Sequence, residues 1–400
     1  MRRIELSYIL VFAAAVVGIM ALTYPAQGWF HWVDDHLIAV FVRTGSIANP
    51  LDPAFFTEVG RFKPMLYILR VGVYYNLFQD HITLWRVWFV AHNALWMTLF
   101  YAVLRRLGVG VWLAALALPL LLFYPESLVT TYRLGTVEGM GTVFLLGAVL
   151  AMLYNRHWAT VTLALIAGAC KESFTLILPV FVLWYAMRPQ RQTRPLIALV
   201  FGAAVLLALV LRARLMTGGY GENIAGFSLY AMSYNAHIIL IALGFSVPML
   251  IGAVKARSIG AIVLVAAGIA SQIVVYSSIG IAGHYLYPVV LVTVGATVLS
   301  LHVLRRDRRL LAVCALALML SLANRFVSPI MSATEWGREG DEFHAEMRAV
   351  AADNPPTYTL NSPLEEWNLS TVSWMRYYGY TGEFIIGETA CCLTDEFLRR

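Results

Sequence analysis

Long apolar runs separated by short polar turns recur along most of the chain. They lie near 6–24, 84–104, 110–124, 137–154, 158–170, 174–187, 195–213, 236–254, 258–278, 286–304 and 309–327. A membrane-spanning helix needs about 20 apolar residues, or about 17 at the short end. The pattern therefore predicts an all-α polytopic membrane protein of about eleven transmembrane helices. The runs at 110–124, 158–170 and 174–187 are short, which predicts helices that tilt or stop inside the protein. Two long polar segments interrupt the series: a first loop over about 25–83 and a tail over about 328–400. The tail holds short alternating stretches, Thr357-Tyr358-Thr359-Leu360 and Phe384-Ile385-Ile386, that predict a small α/β appendage. Residues 1–327 would form the transmembrane module, and about 70 residues of tail are too few for a secure core of their own.

Composition sharpens the membrane class. Of 400 residues, 60% are hydrophobic and 13% charged, against about 25% charged in an ordinary soluble domain. With a mean hydropathy of +0.71, a soluble enzyme, a disordered chain and a nucleic-acid binder are excluded together. The net charge of +6 follows from topology, because Arg and Lys collect beside cytoplasmic turns. With the N-terminus inside, those turns carry Arg2 and Arg3, Arg105 and Arg106, Arg156, then Arg188, Arg191 and Arg194. Lys255 and Arg257 follow, and then Arg305, Arg306, Arg308 and Arg309. Every inside turn is basic, so the excess marks sidedness and not a polyanion patch. The odd span count puts the C-terminus and the first loop outside. No small-residue cleavage site follows the first run, and Gly28-Trp29-Phe30-His31-Trp32 reads as an interfacial belt, so that run is a retained helix.

Cys170 and Cys314 fall within spans as small core residues, while Cys391 and Cys392 are adjacent in the tail. Asn368-Leu369-Ser370 fits a glycosylation sequon.

The charges that topology does not require gather on the outer side, where burying them is costly and function is the default reading. Trp32-Val33-Asp34-Asp35-His36 offers two adjacent carboxylates, able to hold a divalent metal ion or act as a general base; it also reads as a helix N-cap. Gly60-Arg61-Phe62-Lys63-Pro64 sets two cations before a proline suited to a helix's first turn. That is a phosphate-binding arrangement, or alternatively a pair of snorkelling cations. Tyr124-Pro125-Glu126 and Arg133 to Glu138 flank the start of the fourth span, with Glu138 in its first turn, where the helix dipole favours an acid. A structural Arg133–Glu pair is the competing reading. Cys170-Lys171-Glu172-Ser173 caps two short runs, so its half-buried tip could neutralise a lipid phosphate or simply pair within itself. Lys171 is one of only three lysines, with Lys63 and Lys255. His284, in Gly283-His284-Tyr285-Leu286-Tyr287-Pro288, opens the tenth span from the same side; a satisfied structural histidine is its plainer reading. A Walker-type glycine loop, a CxxC metal pair and a GxSxG elbow are absent from the sequence.

The order of these features resembles the GT-C superfamily of polytopic glycosyltransferases, in particular the protein O-mannosyltransferase-like branch. The matching residues are Trp32 to Ile38, Arg61-Phe62-Lys63-Pro64-Met65 and His92-Asn93-Ala94-Leu95. They continue with Tyr124-Pro125-Glu126, Arg133 to Glu138, and Lys171-Glu172-Ser173 with Pro179. The resemblance covers about 6–190, with a fainter echo at His284 to Pro288. Lys63 and His284 each stand where the family usually has Arg, and the tail lacks a tetratricopeptide period.

The resemblance implies an enzyme that transfers a sugar from a polyprenyl-phosphate donor to an acceptor hydroxyl outside the cytoplasm, in a bacterial inner membrane. Asp35 would be the base, with Asp34 as its substitute or, with Asp35, a metal ligand. Arg61, Lys63, Lys171, Arg133 and His284 would hold the donor phosphate, with His36, Glu138 and Glu172 in support. The acceptor would be a glycan, lipid or protein, with membrane lipids as surroundings and no nucleic acid. Two other classes share some features. A polysaccharide polymerase or ligase of the O-antigen type usually carries its large exterior loop late. A secondary transporter or flippase would show midplane charges and a two-halves repeat, which the sequence lacks.

Overall fold

The computed structural model describes residues 6–23, 39–40, 43, 64–79, 81–122, 137–187, 192–216, 248, 251–252, 255, 287–323, 328–362 and 365–387. These are mostly helical. The first helix, α1 (Leu6–Thr23), packs along α4 (Ile82–Arg106), which also packs against α6 (Val137–Leu153). The most extensive contact joins α6 to α7 (His157–Cys170). Beyond α7 lie α8 (Glu172–Thr175), α9 (Leu178–Ala186) and α10 (Thr193–Met216), and α10 packs on both α7 and α9. On the other flank α5 (Val111–Leu122) pairs with α11 (Tyr287–Leu304), which α12 (Arg308–Ala323) follows.

One core centres on Trp96, Met97, Phe100 and Tyr101 of α4; a second surrounds Phe174, Phe181 and Tyr185. Among the described residues, Thr83–Arg106 and Thr193–Arg212 are long and apolar enough to cross a membrane. The outer surfaces of α1 and α10 are apolar as well: Val17 is 66% exposed and Phe201 71%. The expected run at 174–187 is broken into α8 and α9, with Pro179 in the first turn of α9. The expected runs at 236–254 and 258–278 fall almost wholly outside the described residues.

Helix ends explain the arginine turns. Gly108, at φ +89°, closes α4: its N–H donates to the Arg105 carbonyl at 3.1 Å, and the Val109 N–H donates to the Leu104 carbonyl at 3.1 Å. Arg105 donates to the Val109 carbonyl at 2.7 Å, and the Arg106 guanidinium lies 4.5 Å over the Tyr154 ring just past α6. Cations here face the electronegative ends of two helices. The same end holds the start of α7, where His157 Nδ1 meets the Tyr185 hydroxyl of α9 at 3.2 Å.

Lys255 donates to Asp307, and the second Asp307 oxygen accepts the Leu310 N–H at 3.3 Å, capping α12. The Lys255 hydrogen bond, followed by that from Leu310, holds the Asp307 carboxyl below its ordinary 3.8. A depressed carboxylate contributes stability that is present above its unfolded pKa and lost as pH falls through its folded one. Asp307→Asn is therefore expected to lower the thermal midpoint at pH 7 and to match the parent once both are acidified below that range. A pH series of melting curves in detergent checks this.

At the opposite end of α4 lies the tail. Its α13 (Ser328–Asp353) is followed by β1 (Thr357–Leu360), α14 (Glu365–Tyr377) and β2 (Glu383–Ile386), with β1 and β2 parallel in register Thr357↔Glu383 to Leu360↔Ile386. The alternating stretches thus form a βαβ unit, the helix supplying the crossover that parallel strands need. Arg376 lies in the last turn of α14, where it complements the helix dipole. Gly379, at φ +98°, ends it, with the Tyr380 N–H donating to the Met375 carbonyl at 2.9 Å.

The core of this unit is shared with the bundle. Met347, Ala351, Leu360, Trp374, Met375, Tyr380 and Phe384 cluster with Ala39, Tyr75 and Trp85. The residues that fit a sequon are buried: Asn368 is 2% exposed and Ser370 fully buried. The Asn368 amide donates to the Ser362 carbonyl at 2.8 Å and accepts the Ser362 N–H at 3.2 Å. It staples the start of α14 and offers no acceptor to a glycosylating enzyme.

Candidate functional site

The first turn of α6 organises the end of the bundle opposite the arginine turns. It reads Val137-Glu138-Gly139-Met140-Gly141, and three of its positions meet three different elements. A Cβ on Gly139 would lie 2.9 Å from Cε1 of His92 on α4, and one on Gly141 would lie 2.7 Å from the Phe174 ring of α8. Glycine at both positions lets α4 and α8 close on α6. Between them Met140 packs with Cys170 at the end of α7, flanked by Met65, Leu69 and Tyr74.

Those last residues belong to the segment that begins at Pro64. Pro64 opens a short helix, α2 (Pro64–Leu66), as expected for a first-turn proline. A π-helix follows over Tyr67–Tyr75 and then α3 (Asn76–Phe78). The π form is rare and concentrates at functional sites. α2 packs directly on α7. Burial raises the Tyr74 phenol above its ordinary 10.0, with Cys170 adding to the effect.

Lys171 stands at the break between α7 and α8, extended at φ −161° and ψ 150°. Its carbonyl accepts the Phe174 N–H at 3.0 Å and the Thr175 N–H at 3.3 Å, and Thr175 Oγ1 donates back to the Gly168 carbonyl at 2.7 Å. The tip is therefore folded inward. Lys171 is 3% exposed, Glu172 7% and Ser173 3%, so the half-buried tip expected from the short runs is fully buried. Burying an ammonium and a carboxyl is costly unless each is paired, and ionisable groups inside a membrane protein are functional candidates.

Of the site residues expected from the sequence, Lys171 and Glu172 lie in this cluster, and Glu138 lies in the first turn of α6. Asp34, Asp35, His36, Arg61, Lys63, Arg133 and His284 are outside the described residues, as are Cys391 and Cys392. The divalent metal expected at Asp34 and Asp35 falls there too. Among the described residues, no three His, Cys, Asp or Glu side chains group closely enough to hold a metal ion. Cys170 and Cys314 are buried thiols, as core residues should be.

His92, at this end, is a residue that the sequence does not mark as part of a site. His92 stacks on Trp88 at 5.4 Å, and its Nε2 is buried without a hydrogen-bond partner among the described residues. Its neighbour Asn93 is satisfied locally, donating to the Phe89 carbonyl and accepting from Trp96 Nε1, each at 2.9 Å. In sequence the two are equivalent polar interruptions of one apolar helix. Packing distinguishes them: His92 lies against Trp88 and Gly139, while Asn93 is bonded within its own helix.

Neither the protein-family models nor the curated proteins give a match to this chain.

Proposed function

We propose that the protein is a polytopic membrane glycosyltransferase of GT-C type, using a polyprenyl-phosphate sugar on the extracytoplasmic side. The observation that carries this reading is the burial of Lys171 and Glu172 beside the first turn of α6 and the helix that starts at Pro64. Three sequence segments that the family resemblance had joined only by order are brought to one end of the bundle. That end carries an ammonium and a helix N-terminus, and Pro64 follows the Arg61-Phe62-Lys63 motif directly in sequence. These are the groups that a phosphate leaving group requires.

The reaction then reads as one displacement. Asp35 takes the proton of the acceptor hydroxyl, whose oxygen forms a bond to the anomeric carbon. The bond from that carbon to the phosphate oxygen breaks, and polyprenyl phosphate departs with the electron pair. Arg61, Lys63 and Lys171 balance its charge, with Arg133 and His284 nearby in the proposed arrangement. The basic turns at the other end of the bundle set the cytoplasmic side, so the donor is lipid-linked because nucleotide sugars remain inside. Asp34 and Asp35 are also the pair that would take a divalent ion.

The test is release of polyprenyl phosphate when the purified protein is mixed with a panel of polyprenyl-phosphate sugars. Release with at least one donor is expected. Lys171→Gln is expected to reduce it by about 10²-fold, the order found on removing one group that stabilises a developing negative charge. No release from folded protein with any donor overturns the reading.

A further inference from the structure

The contacts at the first turn of α6 close a circuit. His92 of α4 stacks on Trp88, one turn earlier, with ring centroids 5.4 Å apart and 28° between the planes. Trp88 meets Tyr74 of the π-helix at 4.6 Å, and Tyr74 packs against Met140 and Cys170. Met140 adjoins Gly139, where a Cβ would lie 2.9 Å from Cε1 and 3.3 Å from Nδ1 of His92. The imidazole is thus held on one face by an indole and along one edge by the helix backbone. Its Nε2 is buried and has no hydrogen-bond partner among the described residues. A polar residue on an apolar helix is ordinarily satisfied by a carbonyl one turn back, as Asn93 is by Phe89 at 2.9 Å. His92 has no such bond among the described residues, and a buried polar atom left unmade in this way is costly.

The surroundings of that nitrogen select the kind of ligand. The first N–H groups of a helix have no acceptor within it and give its end a positive potential. Here that turn is buried at Gly139 and Met140. Lys171, 3% exposed, follows Cys170 directly in the chain. This end of the bundle therefore favours an anion, and an imidazole with its proton on Nε2 can donate to one. We propose that His92 Nε2–H donates a hydrogen bond to a phosphate oxygen of a polyprenyl phosphate held at the first turn of α6. The proposal rests on the glycosyl-transfer reading and adds to it a phosphate-binding residue from α4. His92 orients the phosphate and transfers no proton. Trp88 covers one face of the ring, and exclusion of water there strengthens the bond.

The test is native mass spectrometry of the full chain in a neutral detergent, with polyprenyl phosphate or the matching polyprenol. It is paired with NMR of protein carrying isotope-labelled histidine. Retention of polyprenyl phosphate over polyprenol is expected. The His92 Nε2 resonance, identified by its loss in H92Q, is expected to move with the phosphorylated lipid only. H92F keeps an aromatic ring beside Trp88 but has no N–H, and is expected to weaken retention by about tenfold, the loss of one charge-assisted hydrogen bond. H92Q restores an N–H and is expected to fall between. An unmoved Nε2 resonance with the lipid bound, or unchanged retention in H92F, overturns the role of His92. Equal losses in H92Q and H92F assign the effect to ring packing and overturn it too. The parent separates this role from sugar transfer. Release of polyprenyl phosphate from its sugar with an unmoved resonance leaves transfer standing without His92. A moved resonance without release keeps the phosphate site and removes transfer, while no release and no preference for the phosphorylated lipid removes both.

Discussion

Replacing Asp35 by Asn is expected to lower sugar transfer from polyprenyl phosphate by about 10³-fold, within the range for loss of a general base. The amide keeps the size and polarity of the carboxyl but cannot accept the acceptor's proton. The effect should therefore fall on turnover, with donor affinity, expression and thermal midpoint unchanged. Asp34→Asn is the internal comparison, since the two carboxylates are adjacent but would not be equivalent if one alone faces the hydroxyl. A smaller loss is expected there. Transfer at the parental rate in Asp35→Asn, measured as polyprenyl phosphate released per enzyme, would remove Asp35 from the role of base. A loss in both variants that added metal restores would assign the pair to a divalent ion.

The largest effect on stability is expected from Trp374→Ala, at about 3–5 kcal/mol, the range for deleting a large buried aromatic side chain. Trp374 is fully buried, and its ring meets His344 edge-on at 4.6 Å and Tyr377 at 5.5 Å. His344, itself fully buried, is joined to the Tyr378 hydroxyl at 3.0 Å, and Arg348 donates to the His344 carbonyl at 3.0 Å. Burial pushes the Tyr378 phenol up to about 12, although Arg348 pulls the other way. It remains a neutral hydroxyl at any physiological pH. Because the βαβ unit is small, losing its central side chain should loosen the whole of it. Hydrogen exchange across 341–387 is expected to accelerate while α6 and α7 keep their protection. Uniform protection in both regions would show that the tail does not depend on this centre.

The same unit illustrates how far a local pattern reaches. Thr357 to Leu360 and Phe384 to Ile386 announced strands by alternation, and both are strands. Their core was not visible in the tail, because it includes Tyr75 and Trp85, nearly three hundred residues earlier. Asn368 shows the converse case. Its tripeptide carries the sequon chemistry, but whether an amide faces solvent or its neighbour's backbone depends on packing, and here it is stapled to Ser362. Lys171 lies between these cases. Two short runs implied a tip that could not clear a membrane surface, while its full burial is a property of the packing, in which Phe174 seats against Gly141.

The helices and several of their ends were determined by sequence alone. Apolar runs, Pro64 and Pro179 in first turns, Gly108 and Gly379 past last turns, and arginines at C-terminal ends all act over a few residues. Their energies are local, and so is their signal. The tertiary structure decided which of those ends meet. It set His92 against Gly139 and Met140 against Cys170. Such contacts bring together residues far apart along the chain and leave no period in it, because the free energy resides in the fit between two surfaces and not in either alone.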